Sequence, residues 1–394
     1  MLGHGTGAST HCQRTAGLRL GDTPDVRITA VRLTRLSVPL DPLFPAAWDP
    51  VPRRSFAATV VRVETDEGVV GVGSGDTMDG FEAFEHLFVG EDPLAIARHV
   101  RVLETIDFHA GRYWPLEAAL WDILGQVAGL PVATLFGGAA DGLPVYASCG
   151  MLLPPAARAE SALRLRDEGF RALKIRVDPR RLEDGLAAVV ATRDAVGDSM
   201  ALMVDINQGW RMAGDTSRSL DPVAAREVAA RLAALDVLWL EEPLAGTDLA
   251  GLAALRGSAP GIRVAGGEMT RTFAELLAAV EADAFDVYQP DVVLAAGMSR
   301  TRTLAELALA RNRWFTPHTW TNGIGLLANL HVAAGVGGGP FLEFPYDPPG
   351  WTVERRDFML AEPVRPGPDG ILRVPSAPGL GIVLDEAALR RYAA

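Results

Sequence analysis

The feature that most constrains the fold of this chain is an alternation that starts near residue 141 and continues for about two hundred residues. Short apolar segments, PVYASC, ALKIRV, ALMVDIN, VLWLEEP, RVAGGEM, FDVYQPD, RWFTPH and PFLEFP, are separated by amphipathic stretches such as DPVAAREVAARLAAL and TRTLAELALARN. Strands joined through helices pair in parallel with right-handed crossovers. Eight of them is the number that closes a barrel. The expected fold class is therefore α/β, with a (β/α)7β TIM-like barrel over residues 141–350. Residues 26–140 read differently, as strands (VRITAVRLTRLSVPL, SFAATVVRVETDEGVVGVGSG) followed by helical segments (FEAFEHLFVG, DPLAIARHVRVLETI, PLEAALWDILGQVAGL), which is an α+β unit. Residues 351–394 are rich in Pro and Gly and are expected to wrap back onto that first unit. Residues 1–25, with their Gly, Thr and Ser, read as a disordered leader.

From the second barrel strand onward, each strand ends in a polar residue that a core strand has no packing reason to carry. In order these are Lys174 with Arg176, then Asp205, Glu241, Glu268, Asp291, His318 and Glu343. They recur every 23 to 36 residues, the length of one strand-plus-helix repeat. A barrel would gather them at its C-terminal rim, where active sites of this fold sit. Within ALKIRV, strand alternation puts Lys174 and Arg176 on one face and Leu173, Ile175 and Val177 on the other. Any one of Asp205, Glu241 and Glu268 could be an ordinary strand-end acid capping the next helix. Three in succession would repel one another in a low-dielectric mouth. Their convergence points to a hard divalent cation with oxygen ligands, Mg2+ before Zn2+, because neither Cys nor a His pair is among them. Asp291 and His318 end neighbouring strands, so the carboxylate can accept from one imidazole nitrogen and raise the basicity of the other. His331 lies in the apolar run LLANLHVAAG and reads as a core residue; His86, His99 and His109 fall in the helical part of the first unit.

Composition narrows the partners. A formal net charge of -12 argues against nucleic acid or an anionic membrane surface. It is compatible with a small anionic substrate, because a metal ion and two or three local cations decide binding in a cleft. The two cysteines, Cys12 and Cys149, make neither a disulfide framework nor a metal site and fit a cytoplasmic protein. No apolar run approaches the roughly 18 residues of a membrane span. The loop DPLFPAAWDPVPRR carries four prolines with Phe44 and Trp48, and reads equally as a packed surface crossing or as a lid.

Taken together, the Lys-x-[Lys/Arg] strand, VDINQGW with Asp205, WLEEP with Glu241, AGGEM with Glu268, QPD with Asp291, TPHTW with His318 and LEFPYD with Glu343 resemble the mandelate racemase group of the enolase superfamily. ALWDILGQVAGLPVATLFGG is also similar to that family's junction before the barrel, and the resemblance extends from about residue 26 to 385. It implies an N-terminal α+β capping domain over the barrel and one Mg2+ per subunit held by Asp205, Glu241 and Glu268. It also implies proton abstraction next to a carboxylate to give a metal-stabilised enediolate, and a homo-oligomer. Lys174 would hold the substrate carboxylate and the growing charge, and Glu343, if protonated in its apolar setting, would donate to that charge.

One position departs from the family pattern. Racemases of this group carry a second base, a lysine, where this chain has Arg176. A guanidinium, with a pKa above about 12, does not deprotonate usefully near neutral pH. One histidine suffices for dehydration, so the expected activity is that of a Mg2+-dependent hydro-lyase acting on a sugar acid, an aldonate or aldarate. A racemase, epimerase or cycloisomerase with Lys174 as second base is the alternative, and a non-catalytic sugar-acid binding protein a further one. A barrel metallohydrolase would need histidines on the first strand, and VYASCG has none. Substrate contacts are expected from Phe44, Trp48, Asn207, Trp320 and Tyr346, each of which could equally be a packing residue.

Overall fold

The structure, a computed structural model, describes residues 26–394; the leader expected over residues 1–25 lies outside the described residues. Strands β1 (Ile28–Phe44), β2 (Arg53–Thr65) and β3 (Val70–Gly73) form an antiparallel sheet in that order. Val31 stands opposite Val63 and Leu33 opposite Val61, so the apolar residues of the two strands share one face. Helices α1 (Ile96–His109) and α2 (Trp114–Ala128) cover that face, and Phe81, Phe88, Leu103 and Leu120 fill the space between. α2 approaches β3 so closely that a Cβ at Gly71 would lie 2.0 Å from the Ala119 carbonyl oxygen and one at Gly73 1.9 Å from that of Pro115. Only glycine permits this contact. FEAFEHLFVG, expected as a helix, instead makes two 3-10 turns, Phe81–Ala83 and Glu85–Leu87. The rings of Phe81 and Phe88 pack 5.8 Å apart, and Phe81 meets Tyr113 edge-on at 5.3 Å. Tertiary packing of these rings overrides a helical period that is too short to nucleate.

After the short helix α3 (Val132–Leu135) the chain enters the barrel. Among the described residues its eight parallel strands are β4 (Gly142–Ser148), β5 (Ala172–Arg176), β6 (Ala201–Asp205), β7 (Val237–Glu241), β8 (Arg263–Gly266), β9 (Val287–Tyr288), β10 (Trp314–Phe315) and β11 (Leu342–Pro345). The seven intervening helices are α4 (Pro155–Asp167), α5 (Leu182–Val196), α6 (Pro222–Ala233), α7 (Leu249–Ser258), α8 (Phe273–Glu281), α9 (Gly297–Ala310) and α10 (Gly323–Val336). Each strand from β4 to β9 pairs with the next, and β11 pairs back onto β4. The seam between β10 and β11 is bridged by the Thr319 hydroxyl, which donates to the Glu343 carbonyl at 2.9 Å. Leu173, Ile175, Leu202 and Val204 point outward into the layer beneath the helices. Tyr146, Ala172, Met203, Trp239 and Ala265 fill the interior. Lys174 and Arg176 share the inward parity of Ala172, so the two cations face the barrel axis.

The remaining chain forms α11 (Val353–Arg356), β12 (Ile371–Arg373) and α12 (Glu386–Arg391). β12 adds to β4 antiparallel, while Leu36 bridges to Ala393 and packs with Met359, Leu360 and Leu389. Leu380 in this segment touches both halves: its N–H donates to Asp122 of α2 at 2.7 Å, and its carbonyl lies 3.2 Å from Nε2 of His331 in α10.

His331 is the core residue that its apolar run implies, with no exposed surface. Its Nδ1 accepts the Ala133 N–H at 3.0 Å, so the ring is held neutral. Burial, against the weaker pull of the Leu380 carbonyl, lowers its pKa from 6.5 to about 4. A lowered histidine pKa favours the native state above pH 6.5 and forfeits that advantage as pH falls to about 4, because the unfolded chain takes up the proton first. The expected loss is about 3 kcal/mol. Urea titrations at pH 7 and pH 4.5 on the wild type and on His331→Gln check it: the variant should show a stability slope smaller by about one proton, and identical slopes would refute the assignment.

Candidate active site

The inward-facing ends of the barrel strands meet at one rim. Arg176, Asp205 and Glu241 occupy adjacent positions across β5, β6 and β7. Asp205, Glu241 and Glu268 each offer an oxygen within 4.8 Å of the other two, and all three are buried. Their side chains are held from behind. Gln289 Nε2 donates to Glu241 Oε2 at 2.8 Å and Trp239 Nε1 to the same oxygen at 3.0 Å. Trp210 Nε1 donates to Glu268 Oε1 at 2.6 Å. The Asn207 N–H donates to Asp205 Oδ1 at 2.7 Å from a left-handed backbone (φ 43°). Glu268 Oε2 is buried without a hydrogen-bond partner. Three fixed carboxylates, one with an unpartnered oxygen, and no sulfur or nitrogen among them, form a donor set suited to Mg2+.

Lys174 Nζ lies between three of the rim acids. It hydrogen-bonds Glu241, stands 2.7 Å from Glu343 Oε1 and 3.4 Å from Asp205 Oδ2. Burial works against its charge, but Glu241 and Glu343 outweigh that and raise its pKa. Arg176 pairs with Asp205, donates to Asn207 Oδ1 at 2.9 Å and from Nε to the Cys149 carbonyl at 3.1 Å. Burial is again overcome, here chiefly by Asp205 and Glu268, so the guanidinium stays charged. Both cations are thus held in ion pairs with the rim acids.

On the opposite wall, His318 Nδ1 meets Asp291 Oδ2 at 2.9 Å, and Nε2 faces the cavity 3.8 Å from Glu268 Oε2. Asp291 Oδ1 accepts from Asn329 Nδ2 at 3.1 Å and from the Val293 N–H at 2.9 Å. Burial lowers the basicity of His318, but Glu268, Glu343 and the Asp291 hydrogen bond outweigh it and push its pKa up to about 9.

Glu343 sits among donors from three other elements. Its Oε1 accepts from Ser148 Oγ at 2.7 Å and its Oε2 from the Thr319 N–H at 2.7 Å. Burial raises its pKa, yet Lys174 and His318 more than compensate, and the carboxyl falls below its ordinary range. Surrounded by donors, Glu343 accepts hydrogen bonds from Ser148 and Thr319 and pairs with Lys174.

A cavity of about 190 Å³ opens on this rim, lined by Arg176, Asn207, Glu268 and His318 of the barrel and by Trp48 and Arg53 of the N-terminal unit, with Trp210 and Trp320 completing an aromatic wall. Trp48 packs over Arg176, with its ring centre 4.9 Å from the guanidinium carbon. Trp320 meets Trp48 edge-on at 4.9 Å and donates from Nε1 to Ser148 Oγ at 2.7 Å. Two expected contacts lie elsewhere. Phe44 is fully buried and stacks behind Trp320 at 5.8 Å. Tyr346 stacks on Phe170 at 5.7 Å on the outer face of β11, away from the cavity. The loop before β2 is shorter than expected, residues 45–52, because β1 continues to Phe44. The Ala47 N–H donates to the Gly150 carbonyl at 2.8 Å, and Ala46 bridges to Met151, so the loop is a packed crossing that also walls the site.

Gln289, Asn329, Trp210 and Arg53 were not among the residues expected here. Gln289 and Asn329 had a signal, a polar residue inside an otherwise apolar strand or helix; Trp210 and Arg53 had none beyond proximity to Asp205 and Trp48.

This fold and rim define an enzyme of the enolase superfamily, and the chain belongs to the mandelate racemase / muconate lactonizing enzyme family. Residues 31–137 match that family's N-terminal domain and residues 157–388 its enolase C-terminal domain-like unit. Among known relatives, the chain is 29% identical to D-galactarolactone cycloisomerase of Agrobacterium fabrum, over 93% of this chain and 99% of that one. It is 28% identical to L-talarate/galactarate dehydratase of Salmonella typhimurium, over 86% and 83%. A racemase from Streptomyces coelicolor solved with bound magnesium superposes with a TM-score of 0.79 at 30% identity, covering 93% of this chain and all of that one. No helix of the described residues is long and apolar enough to cross a membrane.

Proposed function

We propose that this protein is a Mg2+-dependent enzyme that removes the proton α to the carboxylate of a sugar acid and expels a β-oxygen, with His318 as its single acid/base. The observation that carries the reading is the guanidinium on the wall opposite His318: Arg176 is tied to Asp205 and Asn207 and does not deprotonate near neutral pH, while Lys174 stands beside Glu343. With only one face of the substrate served by a competent base, elimination is favoured over racemisation.

Asp205, Glu241 and Glu268 would hold Mg2+, which supplies positive charge beside the substrate carboxylate. With the charge of Glu268, the chief group raising the His318 pKa, taken up by Mg2+, the imidazole would be neutral and its Nε2 would take the α proton, while Asp291 keeps the ring oriented and stabilises the imidazolium. The electron pair left behind forms the carbon–carbon double bond of an enediolate, whose charge Lys174 faces from the other side. The protonated His318 then gives its proton to the β-hydroxyl, the carbon–oxygen bond breaks, water leaves, and the enol tautomerises to a 2-keto acid. Trp48, Trp210 and Trp320 wall off the site, and Arg53 stands where the far end of the acid would lie.

A second reading has its own support. An aromatic wall of this kind stacks well on the apolar face of a ring, and the relative from Agrobacterium is a lactone cycloisomerase. In that case the leaving β-oxygen belongs to the ring and the product is an isomer of the substrate. Incubation with Mg2+ and a panel of aldonic acids, aldaric acids and their lactones separates the two: dehydration yields a 2-keto acid lighter by one water, ring opening a product of unchanged mass. Epimerisation at the α carbon, without either product, would overturn both readings.

Two variants extend the test. Gln289→Leu removes a donor to Glu241 without touching the cavity and should weaken Mg2+ binding about 10- to 100-fold, as loss of a group that orients a metal ligand does; calorimetry measures it. Arg176→Lys should introduce α-proton exchange with D2O on the face opposite His318. Failure to gain that exchange would show that more than this one position withholds the second base.

A further inference from the structure

Helix α9 begins without a cap of its own: Ala296 stands at the N-cap position and has no side-chain acceptor for the first free N–H groups. The acceptor comes from the N-terminal unit. Glu117 of α2, with no exposed surface, takes the Met298 N–H on Oε2 at 3.0 Å and the Ser299 N–H on Oε1 at 2.8 Å. Its Oε1 also accepts from Ser299 Oγ at 2.5 Å and from Trp121 Nε1 at 3.2 Å. Burial pushes the Glu117 pKa up against the pull of these donors. Gly297 is left-handed (φ 78°), and a Cβ there would lie 2.0 Å from Glu117 Oε2, so only glycine lets the carboxyl reach the helix end. Two further groups of the N-terminal unit hold the same segment: Trp114 Nε1 donates to the Ala295 carbonyl at 2.9 Å, and Arg112 donates to the Leu294 carbonyl.

The segment so held begins at Asp291. The Ala295 N–H donates to the Asp291 carbonyl at 2.9 Å and the Val293 N–H to Asp291 Oδ1 at 2.9 Å, which ties residues 291–295 into one turn. From the barrel side, Asn329 accepts the Val292 N–H at 3.1 Å and donates to Asp291 Oδ1 at 3.1 Å. Asn329 thus anchors one oxygen of Asp291. The direction of the other, which meets His318 Nδ1 at 2.9 Å, is left to the backbone of this turn.

We propose that Glu117 and Trp114 are positioning residues for the acid/base pair: by fixing residues 295–299 from the N-terminal unit, they set the direction from which Asp291 Oδ2 meets His318 Nδ1. The N-terminal unit then does more than cover the rim, because it completes the geometry of the base. A misplacement of about 1 Å can cost about 100-fold in rate even when it originates far from the chemistry. The consequence for turnover rests on the reading of His318 as the base; the geometry of the Asp291–His318 hydrogen bond does not.

NMR of the full-length protein carrying isotope-labelled histidine, in EDTA, tests the proposal without a substrate. The probe is the His318 Nδ1–H resonance, displaced downfield by its bond to Asp291 and identified by its absence in His318→Asn. Glu117→Gln turns an amide group towards the α9 N–H groups, and Trp114→Phe loses the donor to Ala295. In both variants the resonance should move upfield or broaden, and the amides of residues 291–299 should exchange about tenfold faster or more. The ring N–H of His331, bonded to Leu380, should stay in place. Mg2+ affinity, measured by calorimetry, should stay within a few-fold, because neither residue touches the three carboxylates. On any acid that is turned over, kcat should fall about tenfold or more with KM little changed. An unmoved His318 resonance in a folded variant would overturn the assignment of that residue. So would an equal displacement at His331, or lost Mg2+ binding, either of which would make the change a general loosening. If Glu117→Gln does not fold, Trp114→Phe decides alone. Failure of the base reading shows elsewhere, as α-proton exchange retained in His318→Asn.

Discussion

If elimination runs through one base as proposed, His318→Asn is expected to lower turnover by about three to four orders of magnitude, because His318 would carry both proton transfers. Exchange of the α proton with D2O should disappear with turnover, since both begin at His318 Nε2. Mg2+ affinity should stay within a few-fold of the wild type: His318 contributes no ligand to the carboxylate cluster, and its nearest approach to it is the 3.8 Å contact with Glu268. Asp291→Asn should reproduce much of the loss for a different reason. The amide can no longer stabilise the imidazolium, although Asn329 and the Val293 N–H would still anchor it. Retained α-proton exchange in His318→Asn would move the base to another residue and remove the ground for a one-base elimination.

Glu268→Gln is expected to have the second-largest effect, and it separates binding from folding. Loss of a charged oxygen from a three-carboxylate set should weaken Mg2+ binding by about two orders of magnitude or more, beyond the 10- to 100-fold typical of groups that merely orient a ligand. Activity should fall in step at fixed Mg2+. Stability should not fall. The carboxylate is buried beside Glu241 with one oxygen unpartnered, so an amide there relieves repulsion. A thermal melt in EDTA should therefore match or exceed that of the wild type. Wild-type Mg2+ affinity in this variant, or a large drop in melting temperature in EDTA, would show that Glu268 serves the fold and not the metal.

What could be read without coordinates was whatever a repeat imposes. Polar residues at the ends of strands recur with the length of the strand-plus-helix unit, and barrel closure brings them together, so the positions of Lys174, Asp205, Glu241, Glu268, Asp291, His318 and Glu343 at one rim followed from spacing. Their hydrogen-bond partners did not follow. Gln289, Asn329 and Trp210 reach Glu241, Asp291 and Glu268 through contacts that depend on barrel curvature, which no local pattern encodes. The aromatics of the proline-rich loop were ambiguous for a related reason: Phe44 and Trp48 are both large and apolar, and only packing against Trp320 and Trp351 decides that Phe44 is a support and Trp48 a wall. Tyr346 is different. It shares the outward parity of Phe344 in LEFPY, opposite to Glu343, and strand alternation alone was enough to exclude it. The surroundings of Glu343 could not be read either, because an apolar strand says nothing of the donors, Ser148, Thr319 and Lys174, that other segments bring to it.

The cavity is assembled from two sources: the barrel strands carry every proton-handling and metal-binding candidate, whereas Trp48 and Arg53 arrive on a crossing that begins and ends in the antiparallel sheet. Substitutions of these two kinds should therefore be nearly additive in free energy where they do not touch, the exception being Trp48, whose ring packs on Arg176. Selection can then redraw which acid is accepted through a handful of codons between 45 and 53, leaving the bond-breaking apparatus untouched. A lineage built on this scaffold could change diet faster than it changes chemistry.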